Sequence, residues 1–247
     1  MADAAVQRPI APPARDTAVI AERLRALCAS VEGRVVFTTS FGIEDQLIAH
    51  VIFTEKLPVE VVTLDTGRLF PSTYTLWQET EERYGVRIRA FYPQAEAAAA
   101  LIADQGINGF YYSKDARVAC CTVRKVEPLG RALAGAAAWV TGLRADQSGQ
   151  RSLVALQSFD EERGLVKSSP LHDWTREEVA ASCAALSVPV NALHAKGFVS
   201  IGCEPCTRAI APGEPERAGR WWWESDEAKE CGLHVGADGR LVRNKAA

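Results

Sequence analysis

The chain has no long apolar run, no strong excess of either charge, no run of large apolar side chains in its first fifteen residues and an odd number of cysteines. Each absence excludes a class. Without about twenty consecutive apolar residues there is no transmembrane candidate. A formal net charge of −3 gives no global basic field to draw nucleic acid, and leaves room only for a local basic pocket. The first fifteen residues are rich in Ala and Pro and lack the apolar core of a signal peptide. Seven cysteines in a chain of 247 residues do not describe a small disulfide scaffold. Together these point to a reducing cytoplasm, where thiols serve metals or catalysis. Hydrophobic content of 47% and charged content of 24% are ordinary for a globular protein, and the length suits one large domain or two small ones.

What is present is an α/β pattern. Apolar spacing predicts helices over 18–28, 43–53, 72–84, 96–103, 121–133 and 174–186. Asp173 is the expected N-cap of the last, and Pro71 stands near the start of the third. Short β-branched runs predict strands over 34–39, 59–64, 86–92 and 137–143. This alternation implies a parallel twisted sheet with helices on both faces. Ligands of such sheets bind outside the carboxyl ends of the strands. Three polar segments fall there: Ser40/Gly42, Asp65-Thr66-Gly67, and the Arg144–Arg151 loop. Residues 1–14 read as a disordered arm and 15–211 as the domain. Residues 212–247, where Pro, Gly and charge increase, read as a mobile C-terminal arm.

The first loop could cradle an anion at a helix start, and equally be an ordinary turn. It lacks the Gly-Lys-Ser/Thr of a P-loop. The stronger signal is sulfur. Cys120 and Cys121 are adjacent, and Cys203 and Cys206 form C-x-x-C. Two pairs of thiolates can fill a zinc tetrahedron. Neighbouring cysteines that diverge suit the separate iron corners of a cubane better. Arg124 and Lys125 follow the first pair, and Arg217 and Arg220 precede a Trp triplet that reads as an anchor for the arm. With Arg144 and Arg151 these cations suit phosphate or sulfate oxygens, and Lys125 is expected between cluster and substrate. Cys231, near Lys229 and His234, reads as a nucleophile on the arm, or as a stray terminal thiol. Cys28 and Cys183 read as core thiols, His50 and His172 as structural, and His194 as a core or hydrogen-bonding histidine.

Ser40–Asp45, Leu64–Gly67, Cys120-Cys121-x-x-Arg124-Lys125, Ser200–Thr207 and Glu230–His234 resemble the assimilatory sulfonucleotide reductases. Within these the chain looks like the adenosine 5′-phosphosulfate branch. The resemblance covers roughly residues 34–234 and implies an adenine-nucleotide α-hydrolase-like fold. It implies a [4Fe–4S] cluster on Cys120, Cys121, Cys203 and Cys206, and attack by Cys231 on the sulfur of the nucleotide. It also implies reduction of the resulting adduct by thioredoxin or a glutaredoxin-like protein. His234 would orient the arm or touch the phosphosulfate. The branch that uses a 3′-phosphorylated nucleotide usually lacks the cluster cysteines. Glu44 and Asp45 would also repel a further phosphate if they face it. That substrate, dual use of both, an ATP-dependent thiolation enzyme and a purely structural metal module remain the alternatives. A homo-oligomer is as open as a monomer.

Overall fold

The computed structural model of the chain describes residues 13–224. The element order is α1 (Ala18–Ser30), β1 (Arg34–Thr39), α2 (Ile43–Thr54), β2 (Val59–Leu64), α3 (Pro71–Tyr84), β3 (Arg89–Phe91) and α4 (Ala95–Gln105). Then follow α5 (Lys114–Cys121), α6 (Glu127–Leu133), β4 (Ala136–Val140), β5 (Gln157–Asp160), β6 (Leu165–Ser168) and α7 (Arg176–Ala185). The six strands form one sheet in the order β3-β2-β1-β4-β6-β5. All neighbours are parallel except β5 and β6.

Period-two alternation sorts the strand residues onto two faces. Val35, Phe37, Val59, Val61, Ala138 and Val140 pack with residues of α1, α2, α3 and α7. Val36, Val62 and Trp139 pack on the opposite face against Leu129, Ala132 and Leu133 of α6. The chain leaves β1 in one direction through β2 and β3, then returns to its other side at β4. The carboxyl ends of β1 and β4 are therefore a topological switch point, where a crevice opens between diverging connections.

Three expectations are corrected. The third strand shrinks to Arg89–Phe91, because Gly85 ends α3 in a left-handed turn and Glu81 takes the next donors. Its carbonyl accepts from the Val86 N–H and its carboxylate from the Ile88 N–H. The β5–β6 hairpin was not expected, since short, half-polar strands leave a weak pattern. Helix α7 is capped by Thr175 in a reciprocal box with Glu178, whereas Asp173 accepts from Arg15 and Arg23. Of the segment expected to begin at residue 212, the described part reaches Glu224 and packs on the domain, as an anchoring Trp triplet implies. Trp221 is only 1% exposed and Glu224 pairs with Arg117, so the ends of this charged segment are tied down.

The cysteine helix also begins earlier than expected, at Lys114, where the Ser113 hydroxyl accepts from the Ala116 N–H. Between α5 and α6 the chain makes a π-helical turn over Thr122–Val126, with the Glu127 N–H bonded to the Thr122 carbonyl. Such turns insert one residue and redirect those inside them. Here they are Arg124 and Lys125, directly after the cysteine pair.

Candidate active site

A cavity of about 210 Å³ lies at the switch point. It is lined by Ser40 and Gly42 after β1, Thr66 after β2, Gly142 after β4, and Gly202, Arg217 and Arg220 from the C-terminal third. The first loop holds its shape through Asp45, whose Oδ2 accepts from the Ser40 N–H at 2.7 Å and the Ser40 hydroxyl at 2.6 Å. Burial raises the Asp45 carboxyl to about 6, although the two Ser40 hydrogen bonds oppose the rise. Phe41 takes a positive φ of 58° and buries its ring on Trp77. A Cβ on Gly142 would lie 2.1 Å from Asp45 Oδ1, so only glycine fits there. Ser40, whose loop read equally as an anion cradle or an ordinary turn, lines the cavity with its N–H and hydroxyl donated to a protein carboxylate.

Arg144, expected to bind substrate, does not line the cavity. It is fully buried and bonded to Glu44 (2.9 Å), to both oxygens of Glu216 (2.9 and 2.8 Å) and to Asp146. Burial would raise the Glu44 carboxyl, but the charges of Arg144 and Arg176 outweigh it and hold the group below its ordinary value. Glu44 and Asp45 line the cavity wall with their charge directed at Arg144 and their hydrogen bonds at Ser40. They therefore give no simple repulsion of an extra phosphate.

The second loop ties cavity to cysteines. Asp65 accepts from the Gly67 N–H and the Tyr74 hydroxyl, both at 2.8 Å, and Gly67 sits at φ 69°. Neither Asp65 nor Gly67 lines the cavity, but Thr66 does. Its hydroxyl lies 3.3 Å from Cys203 Sγ, and Arg124 Nη1 donates to its carbonyl at 2.8 Å.

Cys120, Cys121, Cys203 and Cys206 are free thiols gathered in one hydrophobic group with Phe110 and Trp221. Burial, then the neighbouring Cys203, push the Cys206 thiol up to about 11. Lys125, Cys203 and Trp221 line both this cradle and the cavity, so the two share a wall. Arg68, Arg117 and Arg124 stand on the cradle's other sides. Among the described residues no three Cys, His, Asp or Glu side chains close on a single-ion position. A cubane, whose thiolates attach to separate irons and whose net charge is negative, suits this donor set and its ring of cations. Arg220 is buried in the shared region with its Nε unpartnered, and its guanidinium lies 4.9 Å from the Trp221 ring centre. Arg217 lies 5.9 Å from the same ring and Arg117 4.7 Å. Arg151 lines the cavity and donates to Gln147 at 2.6 Å. Cys231 and His234 lie outside the described residues.

The sequence reading missed Glu216, Gly142 and His194 in the cavity wall, and Arg68 and Arg117 at the cradle. His194 Nδ1 lies 2.7 Å from the Phe198 carbonyl, and burial lowers its basicity. Only Gly142 left a readable signal, as a glycine immediately after a strand.

Residues 34–209 match the phosphoadenosine phosphosulfate reductase domain. The chain is 59% identical over 207 residues to an adenosine 5′-phosphosulfate reductase of Agrobacterium fabrum, covering 84% of this chain and 80% of that one. It is 50% identical over 217 residues to the enzyme of the same name from Burkholderia cepacia, covering 87% of each. A crystal structure of phosphoadenylyl-sulfate reductase from Candida auris superposes with a TM-score of 0.66 at 27% identity, over 77% of this chain and 90% of that one. A family domain that matches residues 34–209, with curated relatives at 50–59% identity over most of their length, places the chain: it belongs to the phosphoadenosine phosphosulfate reductase family.

Proposed function

We propose that this protein reduces adenosine 5′-phosphosulfate to sulfite and AMP, using Cys231 as nucleophile and a thioredoxin or glutaredoxin-like protein as reductant. The observation that carries the reading is the wall of Lys125, Cys203 and Trp221 common to the cavity and the four-thiol cradle. It brings cations and a sulfur cradle to the end of a nucleotide-sized crevice. The relatives named as adenosine 5′-phosphosulfate reductases support the choice of nucleotide.

In this reading the Cys231 thiolate attacks the sulfonyl sulfur, the sulfur–oxygen bond to phosphate breaks, and AMP leaves with the electron pair. A Cys–S–sulfonate remains. A reductant thiolate then attacks the Cys231 sulfur, sulfite leaves, and the mixed disulfide is resolved by the reductant's second thiol. Attack of an anion on an anionic sulfonyl needs fixed positive charge at the site. Lys125, Arg151, Arg217 and Arg220 supply it from the cavity wall, and His234 orients the nucleophilic segment. Ser40, Gly42 and Thr66 shape the nucleotide end, with Asp65 and Gly67 supporting Thr66. Cys120, Cys121, Cys203 and Cys206 would hold a [4Fe–4S] cluster, which supplies rigidity and electric field rather than electrons.

The test is a trap. Protein incubated with sulfur-labelled nucleotide, without reductant, acquires label. The label is absent in Cys231→Ser and is released as sulfite by thioredoxin. Label that stays on nucleotide in the wild type removes the reading.

A further inference from the structure

A carboxylate to which the function assigns no role, Glu216, lines the cavity immediately before two of its arginines in the chain. Glu216 accepts both of its hydrogen bonds from one nitrogen, Arg144 Nη2, at 2.9 and 2.8 Å. Arg176 Nη1 of α7 stands 3.7 Å from the same carboxylate. Arg144 is in turn fixed from the sheet side, where its Nε donates to Glu44 of α2 and its N–H to Gln147. Glu216 is therefore gripped by a guanidinium that is itself immobilised. The next residue is Arg217, whose carbonyl accepts from the Arg220 N–H at 2.9 Å.

The far end of this short stretch is pinned separately. Arg220 bridges to Thr207, and the Trp221 N–H bonds to the Cys206 carbonyl at 3.2 Å. The Arg220 guanidinium lies so close over Gly202 that a Cβ there would be 1.8 Å from Nη1. Gly202 is thus the bearing surface and Glu216 the anchor. The anchor has a second effect. An unpaired carboxylate in the wall of an anion site would repel the ligand, and Arg144 cancels that charge.

We infer that Glu216 is a positioning residue: tied to Arg144, it aims Arg217 and Arg220 at the sulfonyl end of the bound nucleotide. The inference rests on the proposed substrate. It demands selectivity, since misplacing those arginines costs affinity for the sulfonyl-bearing ligand more than for AMP. A residue that merely held the fold would weaken both alike.

The experiment measures binding of adenosine 5′-phosphosulfate and of AMP to cluster-loaded Cys231→Ser protein, which binds but does not react, alone and with Glu216→Gln or Arg144→Lys added. Glu216→Gln is expected to lower the ratio of the two affinities by about tenfold with cluster absorbance intact. Arg144→Lys, which keeps the charge but cannot hold Glu44, Asp146 and Glu216 from three separate nitrogens, is expected to lower it by about threefold. An unchanged ratio in both variants overturns the inference, as does an equal loss of both ligands. Loss of the cluster in Glu216→Gln also overturns it, because the ion pair would then be supporting the cradle. If Cys231→Ser binds the two ligands equally, and the wild type forms no sulfite when thioredoxin is added, the substrate reading sinks instead, which a Glu216 or Arg144 variant cannot do.

Discussion

At the scale of single residues, close approach explains more than charge does. Arg144 looked like a ligand-binding arginine because it follows a strand in a polar loop. The structure buries it among Glu44, Asp146 and Glu216. No pattern along the chain reveals which carboxylates will surround an arginine, because Glu216 lies far from it in sequence. Gly142 shows the opposite case: Gly142→Ala forces the Asp45 carboxylate away and costs about 1–3 kcal/mol of stability by overpacking. It also loosens Ser40, so nucleotide affinity falls; chemical denaturation and calorimetry measure the two effects. Asp45 yields a pH prediction too. Its folded carboxyl titrates near 6 and its ordinary value is 3.8, so the folded state binds more protons between those limits. Stability attributable to Asp45 therefore falls as pH rises from about 4 to about 6 and is level above that. The Asp45→Asn variant lacks this slope, and melting curves across the window compare the two; parallel curves refute the assignment.

At the scale of elements, the central sheet was readable and its borders were not. Strands β1, β2 and β4 are apolar on both faces, so their signal is strong. The β5–β6 hairpin is half polar, and Lys167 is buried by lying 4.9 Å from the Trp139 ring centre, which no pattern of hydrophobicity predicts. Asp173 and Thr175 both suit an N-cap by composition. Asp173 is taken by Arg15 and Arg23, and Thr175 forms the box with Glu178. Thr175→Ala is expected to cost about 1 kcal/mol, whereas Asp173→Asn leaves the cap intact. Amide hydrogen exchange in the first turn of α7 separates these outcomes, since Asp173→Asn weakens the Arg15 and Arg23 pairs and not that turn. The charges of residues 213–224 carry the same ambiguity: they look solvent-bound until their partners are known. Arg117 donates to both oxygens of Glu224, at 2.8 and 2.7 Å, in buried surroundings. Removing the acid in Glu224→Ala strands a buried guanidinium and costs about 3–5 kcal/mol. Because Arg117 also stands over Trp221, the variant is expected, if the cradle holds the proposed cluster, to lose iron to a chelator faster than wild type; equal rates would separate the ion pair from the cradle.

At the scale of the molecule, the fold divides into a sheet that stands on its apolar core and a satellite built around sulfur. The two large clusters on either face of the sheet contain none of the four cradle cysteines. The third consists of Phe110, those cysteines, Trp221 and Trp223. Residues 203–206 reach the sheet side chiefly through the Leu69–Cys203 bridge, the Glu204 N–H bond to the Arg68 carbonyl and the Thr66 contact. If the four thiolates hold the proposed cluster, removing it would take negative charge out of a site ringed by Arg68, Arg117, Arg124 and Lys125. Those cations then lose the negative charge they surround, and the satellite loosens while the sheet retains its core. Chelation of the iron should therefore leave the far-UV spectrum and the cooperative melt of the sheet nearly unchanged. Trp221, 1% exposed beside the cysteines, should shift its emission to the red, and proteolysis should open the chain around residues 106–125 and 200–224 first. Nucleotide affinity should fall with it, because Lys125, Cys203 and Trp221 belong to both walls. If the sheet instead melts together with loss of iron, the satellite is part of the folding core and the two-part description is wrong.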